Sequence, residues 1–584
     1  MGIGTILLDK GLITREQLEL ALVEQQLSGE RLDRVLLRLG MVGPGDVTRA
    51  VAAQFDMPIV DLSEFSPDPE VLAAIPPQIV FRQQCVPIAL TPAPEPAGAG
   101  ARGGGTGSSV STGGTLRIAT ADPFELTVFD ELRLLIGRNI ELVLAEEDDL
   151  RAFIRRHYGV GGDTLEAMSR DGGHTDVELG DAADDEAELA QEASVIKLVN
   201  ELLFEAIAAR ATDVHIEPYE NRLVVRYRID GMLQRPNVPP TISRFAAAIV
   251  SRIKIMASLN IAEKRRPQDG RIALRHKGQV YDLRVSVIPM LFGEGVVLRI
   301  LNKSAVLMGL GDLGMPSQIL AEWDRLIAQP HGILLVTGPT GSGKSTTLYA
   351  SLNRIVTDEI KAITVEDPVE YHVPGVNQIQ VSHKVGLDFA AGLRSILRHD
   401  PDVIMIGEIR DRETAEAAVQ ASLTGHLVFS TLHTNDAPGA IPRLLDMGVE
   451  PYLVASSVEG VMAQRLVRRV CTGCAQTYHP DPDELPEDFL QTLDATARSL
   501  GFVLTRGAGC KQCLNTGYLG RIGVYEMLRL NDELREAVMH RANASEIAAR
   551  ALGAGALWQL RHDGYAKARD GITTIAEVVR VSRT

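Results

Sequence analysis

Ile333-Leu-Leu-Val-Thr337 runs directly into Gly338-Pro-Thr-Gly-Ser-Gly343-Lys344-Ser345, and this stretch decides how the chain is read. The uninterrupted apolar run predicts a short strand buried on both faces. The G-x-x-x-x-G-K-S sequence after it suits a loop whose backbone N–H groups curl around phosphates. Residues 346–354 then predict a helix, and its N-terminal dipole favours an anion at the same place. Strand, loop and helix in that order make a Walker A site for ATP. Its expected nucleotide-binding residues are Gly338, Pro339, Thr340, Gly341, Ser342, Gly343, Lys344, Ser345 and Thr346. Lys344 is placed on the β- and γ-phosphates and Ser345 on Mg²⁺.

Polar groups at further predicted strand ends fit around that loop. Residues 363–365 lead into Glu366-Asp367-Pro-Val-Glu370, and residues 403–406 end in Gly407-Glu408. A third strand, 427–430, ends at Thr431-Leu432-His433. Ligands of open α/β sheets sit beyond the carboxyl ends of the strands. Glu366 and Glu408 are therefore candidates to activate water or hold the Mg²⁺ shell, and residue type alone leaves the two roles interchangeable. Residues 393–398 predict a helix with Arg394 and Arg398 on one face.

A second chemistry-bearing pattern lies further on. Cys471-Thr-Gly-Cys474 and Cys510-Lys-Gln-Cys513 hold four of the five cysteines. Two C-x-x-C knuckles close a tetrahedral Cys₄ site, and structural Zn²⁺ is the expected ion. A redox dithiol is the alternative, but nothing thioredoxin-like surrounds either pair. Arg465, Arg468 and Arg469, just upstream, are expected to offset thiolate charge. Cys85 stands alone and reads as a small core residue.

The 584 residues are 45 % apolar, 23 % charged and 4 % aromatic, with a net charge of −17. That length implies several domains. The acidic total, with no long run of Lys or Arg, argues against a nucleic-acid partner. The most apolar window, 245–261, carries Arg252 and Lys254, so no membrane span is expected. The first residues include Asp9 and lack a long apolar run, so no secretory signal is expected either. Residues 3–26 repeat at 32–55 with an offset of 29, each copy reading as helix, glycine turn (Gly11, Gly40) and amphipathic helix. Residues 56–158 follow, with strands at 86–90 and 115–119 predicted around a Pro/Ala/Gly/Ser-rich loop, 91–114, too poor in apolar residues to order itself. Residues 159–190 carry Asp181, Asp184, Asp185, Glu186 and Glu188, which predicts an extended acidic linker. Helix 195–210 and paired strands across 213–300 come next, and then βα alternation of a doubly wound sheet.

GPTGSGKST (338–346), TVEDPVEY (364–371), GLRSILRHDPDVIMIGEIRD (392–411) and ASLTGHLVFSTLHTNDA (421–437) together resemble the Walker A, Asp, Walker B and His boxes of the secretion ATPase family. ATDVHIEP (211–218), the segment around 226–233 and IAEKRRPQDGRI (261–272) resemble the domain preceding the core in that family. The likeness runs from about residue 193 to the C-terminus. It implies an α/β, RecA-like P-loop ATPase core with a preceding α+β (PAS-like) domain, a Cys₄ zinc subdomain and an N-terminal α-helical repeat module. The expected segments are 1–60 for the repeat, 61–158 for a small α/β unit, 159–190 for the linker, 191–303 for the α+β domain, 304–470 for the core, 471–525 for the zinc subdomain and 526–584 for a helical C-terminus.

The resemblance further implies a homo-hexamer with ATP between the two core domains, and a cytoplasmic protein held at the inner membrane by secretion or pilus platform proteins through its N-terminal region. It gives Glu366, Glu408, Lys344 and His433 catalytic places. It makes Arg394 and Arg410 of the core, and Arg226 and Arg228 of the preceding domain, candidates to touch phosphate, with Arg271 and Arg284 weaker ones. Type II secretion is the leading reading and type IV pilus extension the alternative. The repeat resembles a domain that binds cyclic di-GMP through Arg-Leu-Gly in each half. Here the halves read Gly2-Ile3-Gly4 and Arg31-Leu32-Asp33, which favours a protein-docking module over that ligand.

Overall fold

A computed structural model describes residues 3–62, 65, 67–91, 114–124, 129–130, 132–133, 136–162, 164–165, 192–302, 308–493 and 502–582. The loop expected at 91–114 and the linker expected at 159–190 lie almost wholly outside the described residues. The chain divides into two compact units, Met1–Ile300 and Leu301–Thr584.

The repeat sets the start of the first unit. Helices Ile3–Asp9 and Arg15–Ser28 form one copy, and Leu32–Arg38 and Pro44–Phe55 the other. Gly11 and Gly40 turn each copy at φ +68° and +66°, a region L side chains avoid. Leu7 and Leu36, like Ala21 and Ala50, are equivalent positions, and all four meet in one core cluster. Next, β1 (Cys85–Thr91) pairs antiparallel with β2 (Thr115–Thr120), which pairs parallel with β3 (Asn139–Leu144). Sequence reading had found the β1–β2 hairpin but not β3. Cys85 is fully buried there, and burial pushes its thiol up to about 12. Residue 60 is not a packing boundary. Val47, Val51 and Ala52 of the second repeat share a core with Leu144, because that helix is apolar on more than one face. Arg31 also donates to Asp33 (Nη2, 2.6 Å) and Asp122 (Nη1, 2.8 Å) and stacks 3.7 Å from the Phe124 ring centroid.

Six strands complete the unit: β4 (Ala211–Tyr219), β5 (Arg222–Ile229), β6 (Met232–Gln234), β7 (Gln268–His276), β8 (Gln279–Met290) and β9 (Gly293–Asn302). Their order is β6-β5-β4-β9-β8-β7. Period-2 alternation sorts the faces. Val214, Ile216, Val225, Tyr227, Val285 and Leu298 point into a core with helices Ala193–Ala208 and Ala246–Met256. Lys254, the charge that argued against a membrane span, is fully buried there and pairs with Glu294 at 2.5 Å. The other face is charged. Asp213 lies across from Arg228 and Arg299, and Arg271 lies across from Arg284. A cleft of about 450 Å³ on this face is lined by Asp213, Asp269, Arg271, Arg284 and Arg299.

The second unit is built on eight strands in the order β12-β11-β13-β14-β10-β15-β18-β19. They are β10 (Gly332–Thr337), β11 (Ala362–Glu366), β12 (Val376–Gln380), β13 (Val403–Ile406), β14 (Leu427–Leu432), β15 (Val458–Val470), β18 (Tyr518–Arg529) and β19 (Leu557–Trp558). From β12 to β15 every pairing is parallel; β18 and β19 are antiparallel additions. All six residues of β10 are buried. Ile333 and Leu335 enter one core, Leu334 and Val336 the other, so helices cover both faces. Arg398 falls beyond helix Phe389–Ile396, so it does not share a helical face with Arg394 as expected.

The tetracysteine unit is an excursion from this sheet. A small hairpin, β16 (Ala475–Tyr478) with β17 (Leu504–Gly507), stands between the two knuckles. The expected boundaries at 471–525 and 526–584 do not hold as packing boundaries. β18 re-enters the main sheet at Tyr518, and β19 in the last segment extends it, because both strands have partners only there. Nor does Arg468 serve the thiolates. It donates to Glu577 (2.7 Å) on helix Ile575–Ser582 and stacks 4.1 Å from the Tyr518 ring centroid, while Arg469 is exposed.

Burial opposes ionisation of Glu577, but hydrogen bonds from Arg580 and Arg468 outweigh it and hold the carboxyl well below its usual range, at about 2. A carboxylate depressed on folding adds stability that is present above the unfolded value, near 4.5, and fades as pH falls toward 2. Glu577→Gln should therefore cost about 2 kcal/mol at pH 7 and flatten the loss of stability over that acid window, as read by denaturant unfolding. Equal acid dependence in variant and parent would refute the assignment.

Candidate functional site

The phosphate loop leaves β10 as expected. Thr337 Oγ1 donates to Leu432 O and Thr434 O, each at 3.1 Å, and so fixes the end of β10 against the end of β14. Gly338 (φ +146°) lies so close to β15 that a Cβ there would meet Gln464 O at 2.5 Å. Gly343 (φ +92°) opens helix Lys344–Ile355, and a Cβ there would meet Gln464 Nε2 at 2.8 Å. Those two glycines are fixed by close approach as well as by backbone angle. The tip, Pro339, Thr340 and Gly341, is exposed.

Lys344 folds back over its own loop, donating to Gly338 O (2.8 Å) and Pro339 O (3.2 Å). Burial disfavours its charge and lowers its pKa to about 8; Glu408 opposes the shift and Arg465 adds to it. Ser342 Oγ is buried without a hydrogen-bond partner. A lysine satisfied only by carbonyls and an orphaned buried hydroxyl fit a site that takes phosphate. Ser345 is exposed beside them, open to a metal shell, and Thr346 bonds Tyr371.

The structure separates the two acids that the sequence left interchangeable. Glu366, at the end of β11, is buried and accepts from Tyr349 Oη, from Thr364 Oγ1 (2.6 Å) and from Gln378 Nε2 (3.0 Å). Glu408, just past β13, lies close enough to Lys344 to act on its charge, and it contacts His433 Nε2 at 3.1 Å and Arg410. Lys344, Glu408, His433 and Arg410 thus gather at one end of the sheet. Arg394 pairs instead with Glu413 at the start of helix Arg412–Leu423. In the first unit, Arg226 pairs with Glu217 at 2.6 Å, and Arg228 donates to Gly231 O at 3.0 Å beside Asp213.

Sequence reasoning missed the residues that brace this cluster. Tyr349 and Gln378 hold Glu366, and Gln464 backs the loop. Arg465, expected at the thiolates, lies at the loop instead: Nη2 donates to Asn435 O at 2.7 Å, and burial lowers its pKa. Nothing in the spacing of A-Q-R-L marks either residue, because strand β15 reaches the loop only through the parallel pairing with β10.

The four cysteines converge. Their sulfurs lie within 4.8 Å of one another, with Cys471–Cys510 at 3.7 Å, Cys474–Cys513 at 3.9 Å and Cys510–Cys513 at 3.8 Å. A tetrahedral ion with sulfur at ~2.3 Å needs sulfurs about 3.8 Å apart, so the donor set fits Zn²⁺. Backbone N–H groups of Gly509, Cys510 and Gly517 point at Cys474 or Cys513 sulfur at 3.1–3.3 Å, as they do toward thiolates.

If the loop takes nucleotide phosphates, the lowered pKa of Lys344 predicts an affinity that depends on pH. Phosphates stabilise its charged form, so binding above pH 8 must take up a proton. ATP or ADP affinity should be flat below about pH 8 and weaken above it, by up to tenfold per unit. Titration calorimetry in two buffers of different ionisation heat reads the proton directly; no uptake at pH 8.5 would contradict the placement.

Comparison with known proteins bears on the whole chain. The family described as Type II/IV secretion system protein matches residues 188–580, and the MshEN domain matches 55–164. The second match falls mostly on the small α/β unit, although the expected likeness was to the repeat at 3–55. The type IV pilus assembly ATPase PilB of Myxococcus xanthus is 41 % identical over 99 % of this chain and 98 % of its own length. The type II secretion system protein E of Xanthomonas campestris is 44 % identical over 96 % of this chain and 94 % of its own. Among solved structures, the ATPase DotB of Legionella pneumophila is similar with a TM-score of 0.48 and 22 % identity, over 65 % of this chain and 94 % of that one. With one family matching two thirds of its residues and relatives this similar along nearly its whole length, the chain belongs to the Type II/IV secretion system protein family.

Proposed function

We propose that this chain is the ATPase that powers assembly of a pilin-like filament in type II protein secretion, working as a homo-hexamer in the cytoplasm at the inner membrane. The carrying observation is the site itself: Lys344 held only by loop carbonyls, with Glu408 and His433 beside it. ATP displaces Lys344 from Gly338 and Pro339, and the ammonium then grips the β- and γ-phosphates. Ser345 holds Mg²⁺. Glu408 is the acid favoured for the metal shell or the attacking water, because it faces Lys344. Glu366 is the weaker candidate for the water, since Tyr349 must first release one of its oxygens. Arg410 beside Glu408 is better placed than Arg394 to meet charge developing on the transferred phosphate. Arg226 and Arg228 remain candidates to touch phosphate, by resemblance alone.

The four cysteines are proposed to hold one Zn²⁺ per chain. All four protein ligands are used, so the ion is structural and supplies no open position for chemistry. Docking to inner-membrane platform proteins is assigned to the N-terminal region. Among the described residues no helix is long and apolar enough to cross a membrane, so membrane attachment would come from such partners. Cyclic di-GMP is the less favoured ligand there: Arg31, the residue to grip it, is already engaged by Asp33 and Asp122.

Pilus extension is the second reading, favoured by the end-to-end likeness to the Myxococcus PilB. Removing the gene from its own cell separates the two. Loss of exported proteins with surface pili intact supports secretion; the reverse supports pilus extension.

Lys344→Ala should fold normally, as judged by thermal melting, and lose ATP turnover by at least about a hundredfold, since a positioned charge at the transferred phosphate is worth that much or more. Unchanged turnover would sink the assignment. Metal analysis of the purified chain should find about one zinc per chain, absent from a Cys474→Ser, Cys510→Ser double variant. Zinc retained by that variant would place the ion elsewhere.

A further inference from the structure

The tetracysteine unit and the phosphate loop are joined by one strand. β15 begins beside β10, pairing Ile333 to Thr337 with Val458 to Ala463. It then outruns β10, passes the loop at Gln464 and Arg465, and delivers Cys471 one residue after its end. The stretch from Gln464 to Cys471 spans seven residues, about 23 Å of extended chain. It is braced along most of this length, with a register irregularity between Arg468 and Val470. β18 pairs antiparallel with it from Gly460 to Val470, and Cys471 N continues the ladder to Gly517 O at 3.0 Å. Arg468 Nη2 to Glu577 (2.7 Å) and Thr573 Oγ1 to Arg468 O (2.7 Å) tie its far half to the C-terminal segment. These restraints tie the strand that passes the loop to the first cysteine knuckle.

Gln464 is where that strand meets the loop. Its side chain is buried, 2 % exposed, and Oε1 accepts from Thr347 Oγ1 at 2.7 Å. Thr347 sits in the first turn of the helix that carries Lys344 and Ser345. The Gln464 carbonyl backs Gly338, and its amide nitrogen backs Gly343, so one residue is packed against both ends of the loop. Gln464 recurs among the nearest contacts of both glycines. A shift of β15 along its axis must therefore be felt by the loop as steric contact at two glycines and as strain on a buried hydrogen bond. The converse also holds: a loop drawn onto phosphate moves against Gln464 and hence the ribbon that ends at Cys471.

We propose that Gln464 is a positioning residue that couples the tetracysteine site to the nucleotide site, so that each site senses whether the other is filled. The proposal rests on the nucleotide and zinc readings above. Coupling between two binding equilibria is reciprocal, which allows it to be read at the metal rather than through turnover.

The measurement is the Zn²⁺ dissociation constant of the full-length chain, read by equilibrium competition with a chromogenic chelator of known affinity, with and without saturating ADP and excess Mg²⁺. In the parent chain ADP should tighten Zn²⁺ binding about fivefold, the low end of site–site couplings. In Gln464→Ala that factor should fall to about one while zinc content and ADP saturation are kept. Thr347→Val, which removes the hydrogen bond to Gln464 together with one to Tyr525 and changes little volume, should lose most of the factor with the fold intact. If zinc and ADP both bind and ADP has no effect in the parent chain, or if both variants keep the parent's factor, the coupling role is overturned. A parent chain that holds no zinc overturns the metal reading and this inference together.

Discussion

The parallel pairing of β10 between β14 and β15 is the constraint on which the rest depends. Every residue of β10 is buried, so its position is set by packing on both faces and by hydrogen bonds on both edges. Because the neighbours are parallel, their carboxyl ends lie at the same edge of the sheet. Lys344, Glu408 and His433 come from the ends of β10, β13 and β14, and they meet there for that reason alone. Thr337 then ties β10 to the segment after β14, so the loop starts from a fixed point.

That edge is electrostatically unfinished. Lys344 and Arg465 are both partly desolvated, both are shifted toward their neutral forms, and both are held by backbone carbonyls. Ser342 adds a buried hydroxyl with nothing to bond. A polyanion with a divalent cation would satisfy these groups together, which is the chemistry the proposed nucleotide site calls for. The contrast with Glu366 is instructive. Its oxygens already accept from Tyr349, Thr364 and Gln378, so the same residue type at a neighbouring strand end is committed to the protein interior.

The N-terminal half obeys the same logic of faces. The six-stranded sheet hides one face under two helices and leaves the other lined with Asp213, Arg228, Arg271, Arg284 and Arg299. The repeat is a domain by sequence but not by packing. A helix apolar on two sides must bury both, and Leu144 of the next unit supplies the second contact. Arg31 is engaged by Asp33, Asp122 and the Phe124 ring.

Sequence alone determined the chemistry and the chain order. G-x-x-x-x-G-K-S after an apolar strand, the acids at two later strand ends and the paired C-x-x-C knuckles are local patterns, and the chemistry each implies depends on residue type and spacing. The repeat was equally legible, because its buried positions recur at a fixed offset. Tertiary structure decided what depends on residues far apart in the chain. It moved Arg465 from the cysteines to the phosphate loop, distinguished Glu408 from Glu366, and brought Gln464 against Gly338 and Gly343. It also returned β18 and β19 to the main sheet, where the sequence suggested separate subdomains. The physical reason is common to all of these. A parallel strand finds its neighbours through pairing across more than a hundred residues, and no local pattern of polarity or size encodes which side chain the neighbour will present.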